Sequence, residues 1–303
     1  MSKFVPNHRP FLDLCVASLI RAAGILAAAL FGATAPIHAA ESIAGLMSDG
    51  RVITAGIEEG ETGFASRPET LAELDDDGGA FIDITAGEGL IYALREDGTV
   101  FGVDADGGVE TVSTRGWDGI SRIDFANGEL FGLKGGENPI VYDASGAERL
   151  RVTGLNVLDF AVHGNGDFTL LHQPEPGTWT YTFADGYRGP PTGFVEDGFQ
   201  TWGARPTPIA VDVGGSLMTV LRSARAGVWW QFKPDPAAEP GRAVKNLPDL
   251  VGVSLNPDQT LAILMERGRG GIHSAPPVAG TFPVYHGPLG SGTGVGVVVL
   301  EDF

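Results

Sequence analysis

Three aspartates, Asp83, Asp124 and Asp159, recur at one position in three apolar segments that resemble one another: Phe81-Ile82-Asp83-Ile84, Ile123-Asp124-Phe125 and Leu158-Asp159-Phe160. Asp212 falls near the same place in a fourth. Carboxylates converging from several such segments could ring a cation such as calcium, which takes about six to eight oxygen ligands. A simpler account is structural. A carboxylate that accepts a hydrogen bond from a neighbouring turn adds about 1 kcal/mol, or somewhat more when charged, and packing between repeats places one in each repeat. The structural account is preferred, and no metal ligand is assigned.

Other chemistry-bearing residues are sparse. The acidic run from Glu73 to Asp77 and the segment Asp104-Ala105-Asp106-Gly107 invite a calcium reading, but neither has the ligand spacing of an EF-hand loop. His163, His172, His273 and His286 do not stand at metal-ligand spacing from one another. Gly290 to Gly296 is glycine-rich but leads into Val297-Val298-Val299, with no helix N-terminus to cradle a phosphate. The chain lacks a Gly-x-Ser-x-Gly nucleophile elbow. No catalytic residue is assigned. The stretch from Pro174 to Pro206 is long for a connection and rich in rings and arginines. Within it Trp179, Tyr187, Arg188, Trp202 and Arg205 are the candidate ligand-binding residues, because aromatic faces suit stacking on sugars or gripping apolar side chains. The competing account puts most of these rings into blade packing.

The elements that must position these residues are short strands. Forty-five glycines and 20 prolines among 303 residues favour many strands joined by tight turns over long helices. A unit recurs: an apolar strand, a short turn, a second strand ending in Leu, a tight turn, and a third strand opening on Val, Ile or Trp. Its clearest copy is Phe81 to Gly87, Leu90 to Leu94, the turn Glu96-Asp97-Gly98, and Thr99 to Val103. Asp-Gly between apolar runs is a strong hairpin signal, because glycine accepts the positive φ of such turns. Further copies begin at Ile123, Leu158, Ile209 and Val251. Near the start, Ile43 to Leu46 and Val52 to Thr54 form a hairpin with no first strand ahead of it, while Val295 to Leu300 is an unmatched strand at the other end. Pairing the two would close a ring and hide two sheet edges. The expectation is an all-β, six-bladed β-propeller, with seven blades as the alternative count. A two-domain sandwich or a linear solenoid would leave the displaced strand unexplained.

Residues Ile84, Ala86-Gly87, Ala93-Leu94, Asp97-Gly98, Val100 and Gly102, followed by Trp117, Ile120 and Ile123, resemble a repeat of the regulator-of-chromosome-condensation family and, less closely, tectonin-like propellers. Leu90 stands where that family usually has His, Phe101 where it has Trp, and six blades are fewer than its usual seven. The resemblance implies a propeller used for binding. It does not carry exchange-factor activity, since fold alone does not transmit function.

Residues 1 to 40 have the features of an export signal, with Lys3 and Arg9 ahead of an apolar run from Ala22 to Ala35 and a small-residue site at Ala39-Ala40. Cleavage there would leave residues 41 to 303 as a single propeller domain, periplasmic or secreted, with no membrane insertion. Leu14 before Cys15 does not suit lipidation. Cys15 is the only cysteine, so the mature chain would hold no disulfide and burial must stabilise it. The whole chain carries a net charge of −18. Removing a leader with three basic residues and one acidic residue takes this to −20, a field that repels nucleic acid and anionic lipid.

These features lead to an exported, non-enzymatic binding or scaffold protein that recognises a protein or glycan through propeller loops, without a cofactor and as a monomer. The alternative is a lactonase-like or glycan-processing hydrolase with an axial carboxylate or calcium site. A cell-envelope assembly role is a third reading, held by analogy.

Overall fold

The computed structural model describes residues 41–300, apart from 137, 155, 165, 167, 176–177, 185–193, 198–203, 212–216, 224–226, 234–240, 246–249, 257–259 and 277–282; side chains are described outside 172–249. Contacts divide the chain into two units, Met1–Ala39 and Ala40–Phe303, and the description below is of the second.

Every regular element of this unit among the described residues is a strand. The first sheet uses β1 (Glu41–Met47), β2 (Arg51–Ile57) and β3 (Ser66–Glu73). The second uses β4 (Phe81–Gly87), β5 (Leu90–Arg95), β6 (Val100–Asp104) and β7 (Val109–Val112). The third uses β8 (Arg122–Ala126), β9 (Glu129–Lys134), β10 (Ile140–Asp143) and β11 (Glu148–Arg151). The fourth uses β12 (Val157–Val162), β13 (Phe168–Glu175), β14 (Thr178–Ala184) and β15 (Phe194–Asp197). The fifth uses β16 (Ala204–Val211), β17 (Leu217–Ser223), β18 (Gly227–Lys233) and β19 (Gly241–Lys245). The sixth uses β20 (Leu250–Leu255), β21 (Ala262–Glu266), β22 (Gly271–Ala275) and β23 (Val284–Pro288), and β24 (Gly294–Leu300) remains.

Among the described residues these strands form four-stranded antiparallel meanders, each running from one innermost strand outward. The last strand, β24, supplies the innermost position of the first sheet. It pairs antiparallel with β1, with Ile43 opposite Val299 and Gly45 opposite Val297. The innermost strands touch in a closed cycle, β24 to β4, β8, β12, β16, β20 and back to β24. The displaced strand therefore joins the two ends of the array and leaves β1 paired on both sides, by β24 and β2. No helix among the described residues is long and apolar enough to cross a membrane.

The local chemistry explains the strands. At the β5–β6 turn Gly98 has φ of 87°, its N–H bonds to Arg95 O at 2.9 Å, and Asp97 Oδ1 accepts from Thr99 N at 2.9 Å. The core lies in slices between adjacent sheets. Leu46, Val52, Ile84, Ile91 and Val103 fill one slice between the first two sheets, and Phe131, Leu133, Leu150, Phe168 and Leu170 another between the third and fourth. Each such side chain, fully buried, contributes about 1.5–3 kcal/mol.

The fourth, outermost strand of each sheet goes beyond the three-strand unit read from the sequence. β7 is short and exposed, so it lacks an apolar face to announce it, and β11 is short with a single buried apolar residue, Leu150. Part of the stretch from Pro174 to Pro206 belongs to this class: β15 is the outermost strand of the fourth sheet, beyond β14, and β16 already begins at Ala204.

Candidate ligand site at the axial mouth

The recurrent aspartates tie neighbouring sheets together. Asp83 Oδ2 on β4 accepts from Ile123 N on β8 at 2.8 Å, and Asp124 Oδ2 on β8 accepts from Val162 N on β12 at 2.7 Å. The other oxygen of Asp124 accepts from its own following amide, Phe125 N, at 2.9 Å, as Asp159 Oδ1 does from Phe160 N at 2.9 Å. Ser254 takes the equivalent role between β20 and β24, its Oγ accepting from Val299 N at 3.0 Å. Inner strands of adjacent sheets share no ladder, so these side chains satisfy backbone groups that would otherwise lack a partner. Asp212 lies outside the described residues.

Enclosure raises the acidity constants of these groups. Desolvation pushes the Asp83 carboxyl up to about 7; Arg122 opposes the shift and Asp159 adds to it. Desolvation likewise pushes Asp124 up to about 7, against the pull of the two amides it accepts from. Both residues are only partly buried, which tempers the effect.

At the end where the inner strands begin lies a cavity of about 460 Å³. Ile82, Leu158, Val251 and Val295, each second on its inner strand and half-buried, line it together with Asp83, Asp159 and Arg122. Arg122 opens β8. Its Nη1 donates to Ser121 O at 2.7 Å, and its Nε stands 3.7 Å from Asp159 Oδ1, too far for a hydrogen bond. That buried Nε has no hydrogen-bond partner.

The candidate residues of the aromatic stretch are not brought together by what is described. Trp179 is on β14, the third strand of its sheet. Arg205 is second on β16 opposite Arg222, at the same end of the strand order as Ile82 on β4. The side chains of both lie outside the described residues, as do Tyr187, Arg188 and Trp202 altogether.

The described histidines serve within or between blades and do not reach the mouth. His163 Nε2 pairs with Thr169 Oγ1 at 2.6 Å in the β12–β13 hairpin. His273 Nε2 meets Glu266 Oε1 at 2.5 Å, and the Tyr285 ring lies 4.8 Å from the His273 ring. His286 Nδ1 donates to Gly63 O at 2.7 Å, and its Nε2 pairs with Ser274 Oγ at 2.6 Å. That serine is 1% exposed and the histidine 5%. The pair therefore bridges the sixth sheet to the loop between β2 and β3, closed to any substrate. The sequence offers no signal for a contact across 223 residues.

The acidic segments are turns. Asp104 Oδ1 accepts from Asp106 N at 3.0 Å and Gly108 N at 2.7 Å. Asp75, Asp76 and Asp77 are exposed and can bring carboxylate oxygens within 4.8 Å of one another. The glycine-rich run that enters β24 serves close packing: a Cβ on Gly296, within the strand, would lie 2.7 Å from Ile84 Cγ2.

Comparison with known proteins gives fold and no family. No protein-family model matches the chain, and no curated protein matches it. Among solved structures, the chain is similar to a chain from a crystal structure of a nidogen/laminin complex, with a TM-score of 0.63 at 10% identity over 86% of this chain and 98% of that one. It is also similar to TolB from Acinetobacter baumannii, with a TM-score of 0.64 at 14% identity over 93% and 73%. These likenesses agree with the cycle of inner strands: the fold is a β-propeller.

Proposed function

We propose that this chain is an exported, non-enzymatic binding propeller of six blades, with residues 1 to 40 removed as a signal peptide, acting in the periplasm or outside the cell. Its repeat is taken as akin to the regulator-of-chromosome-condensation and tectonin-like type, and its partner as a protein or glycan held at the face where the axial mouth opens. The observation that carries this reading is the division of labour among polar side chains. Asp83, Asp124 and Ser254 hold sheet to sheet, and His286 and Ser274 bridge the sixth sheet to the first, while the mouth keeps a cavity lined by Arg122 in an ion pair with Asp159. A similar chain comes from a complex of two proteins, which fits a partner of that kind.

The hydrolase reading has one observation in its favour, the gathering of Asp83, Asp159 and Arg122 at a cavity. Metal analysis of the protein purified from its producing cells separates the two. Stoichiometric calcium lost together with a hydrolytic activity would favour the hydrolase, whereas metal-free protein that captures a defined partner supports binding. Trp202→Ala and Trp179→Ala test the aromatic stretch. Loss of capture with an unchanged melting temperature supports a contact role, and unfolding assigns the rings to packing.

A further inference from the structure

A sheet edge with no neighbouring strand offers a row of unpaired N–H and C=O groups, and proteins block such edges with proline, mixed charges or a covering loop. Among the sheets whose side chains are described, the outermost strands are β3, β7, β11 and β23. Three carry a block. Pro68 interrupts β3. On β11, Arg149 is paired with Glu129 and Asp143, and Arg151 with Glu148, so both signs of charge line that edge. β23 ends on Pro288, and the loop between β2 and β3 reaches it where Gly63 O accepts from His286 Nδ1. β7, Val109-Glu110-Thr111-Val112, has no proline, its first three residues are exposed, and Val109 is 46% exposed.

The register says which backbone groups face outward. Asp104 N donates to Gly108 O at 3.0 Å, and bonded and non-bonded pairs alternate along an antiparallel ladder. From that pair onward, Gly102 opposite Glu110 and Val100 opposite Val112 are bonded, while Val103 opposite Val109 and Phe101 opposite Thr111 are not. Val109 and Thr111 therefore turn their N–H and C=O groups away from the sheet, two donors and two acceptors at strand spacing.

We propose that β7 is a docking edge for an extended segment of a partner protein bearing lysine or arginine, added as a fifth strand at the rim of the second sheet. This goes beyond the reading above, which places its partner at the axial mouth. Charge selects the occupant. Asp104, Asp106, Glu110 and Asp118 are exposed around the edge and outnumber Arg115 and Lys134. Past Val112 the edge adjoins an open cavity of about 380 Å³ lined by Thr111, Ser113, Thr114, Asp97 and Asp118, oxygen-bearing groups suited to an ammonium or guanidinium. Asp97 is held by Arg95, which leaves Asp118 as the carboxylate for an incoming cation. A second copy of the chain is disfavoured, because β7 paired with itself sets one acidic edge against another in a chain of net charge −18.

The test is a titration of the full protein with the capped peptide Val-Lys-Val-Lys-Val-Lys-Val, followed by amide hydrogen exchange read by NMR. Controls are the same peptide N-methylated at every backbone nitrogen and the same peptide with glutamate for lysine. In the free protein the Val109 and Thr111 amides should exchange fast and those of Glu110 and Val112 slowly. The basic peptide should protect Val109 and Thr111, bind more weakly as salt rises, and outbind either control by at least about tenfold. Thr111→Pro removes an outward N–H without touching the β6 ladder and should abolish binding, and Glu110→Lys, with its backbone intact, should weaken it. The comparison among peptides uses the unaltered protein, so a variant that fails to fold leaves it decisive. No binding at millimolar peptide, equal binding of either control, protection elsewhere on the chain, or slow exchange of Val109 and Thr111 in the free protein each overturn the proposal. Self-association of the protein that Thr111→Pro removes would give the edge to a second copy and overturn it as well. If a partner protein is captured equally by wild type and a folded Thr111→Pro, the edge is wrong and the binding propeller stands.

Discussion

Replacing Asp124 by asparagine should flatten the pH dependence of stability over the range between weakly acidic and weakly alkaline. The folded-state carboxyl is raised from 3.8 to about 7, so between these values the folded protein holds a proton that the unfolded chain has released. Stability from this group is therefore greatest at the acidic side of the window and is lost as pH rises through about 7. Integrating from about pH 8 down to about pH 5 gives up to about 2–3 kcal/mol for one such carboxyl, less where channel water solvates it. At about 2–4 °C per kcal/mol for a domain of this size, the wild type should gain up to about 5–10 °C more on acidification than Asp124→Asn does. Asp83, raised for the same cause, remains in the variant and keeps its own share. The assay is thermal or urea unfolding of both proteins across the window, compared by slope. Absolute stability is not compared, because the amide NH₂ must face one of the two donors, Val162 N–H or Phe125 N–H, and disturbs the variant at every pH. The comparison also cancels the relief of repulsion in a chain of net charge −18. Parallel curves for the two proteins would refute the reasoning, because they would mean that Asp124 stays ionised throughout.

Three further outcomes are expected. Gly296→Val should destabilise the protein by about 1–3 kcal/mol in urea unfolding, since even a Cβ there lies 2.7 Å from Ile84 Cγ2 and overpacking costs that much. Ser254→Ala removes the acceptor of Val299 N and should cost about 1–3 kcal/mol, with faster hydrogen exchange at the Val299 amide as the specific readout. His286→Ala strands Ser274 Oγ and Gly63 O and should cost about 2–5 kcal/mol, read as a lower urea midpoint.

Hairpins were legible because glycine and aspartate at turns such as Asp97-Gly98 act through local backbone preference, which a short window contains. The inner aspartates were legible as a repeat, and their structural role followed from repetition; what they bond to was not, since Ile123 and Val162 lie some forty residues away in chain. The outermost strands escaped notice because a strand such as Val109–Val112, with one face in solvent, carries no periodic apolar signal.

By itself the sequence determined the all-β class, the repeating unit and the displaced final strand, since apolar alternation and turn chemistry are properties of adjacent residues. Only the tertiary structure decided that Arg122 meets Asp83 and Asp159 at one cavity, and that Ser274, His286 and Gly63 form a single bridge. Those groups come from different sheets, and a ring brings together residues whose separation along the chain carries no trace of their meeting.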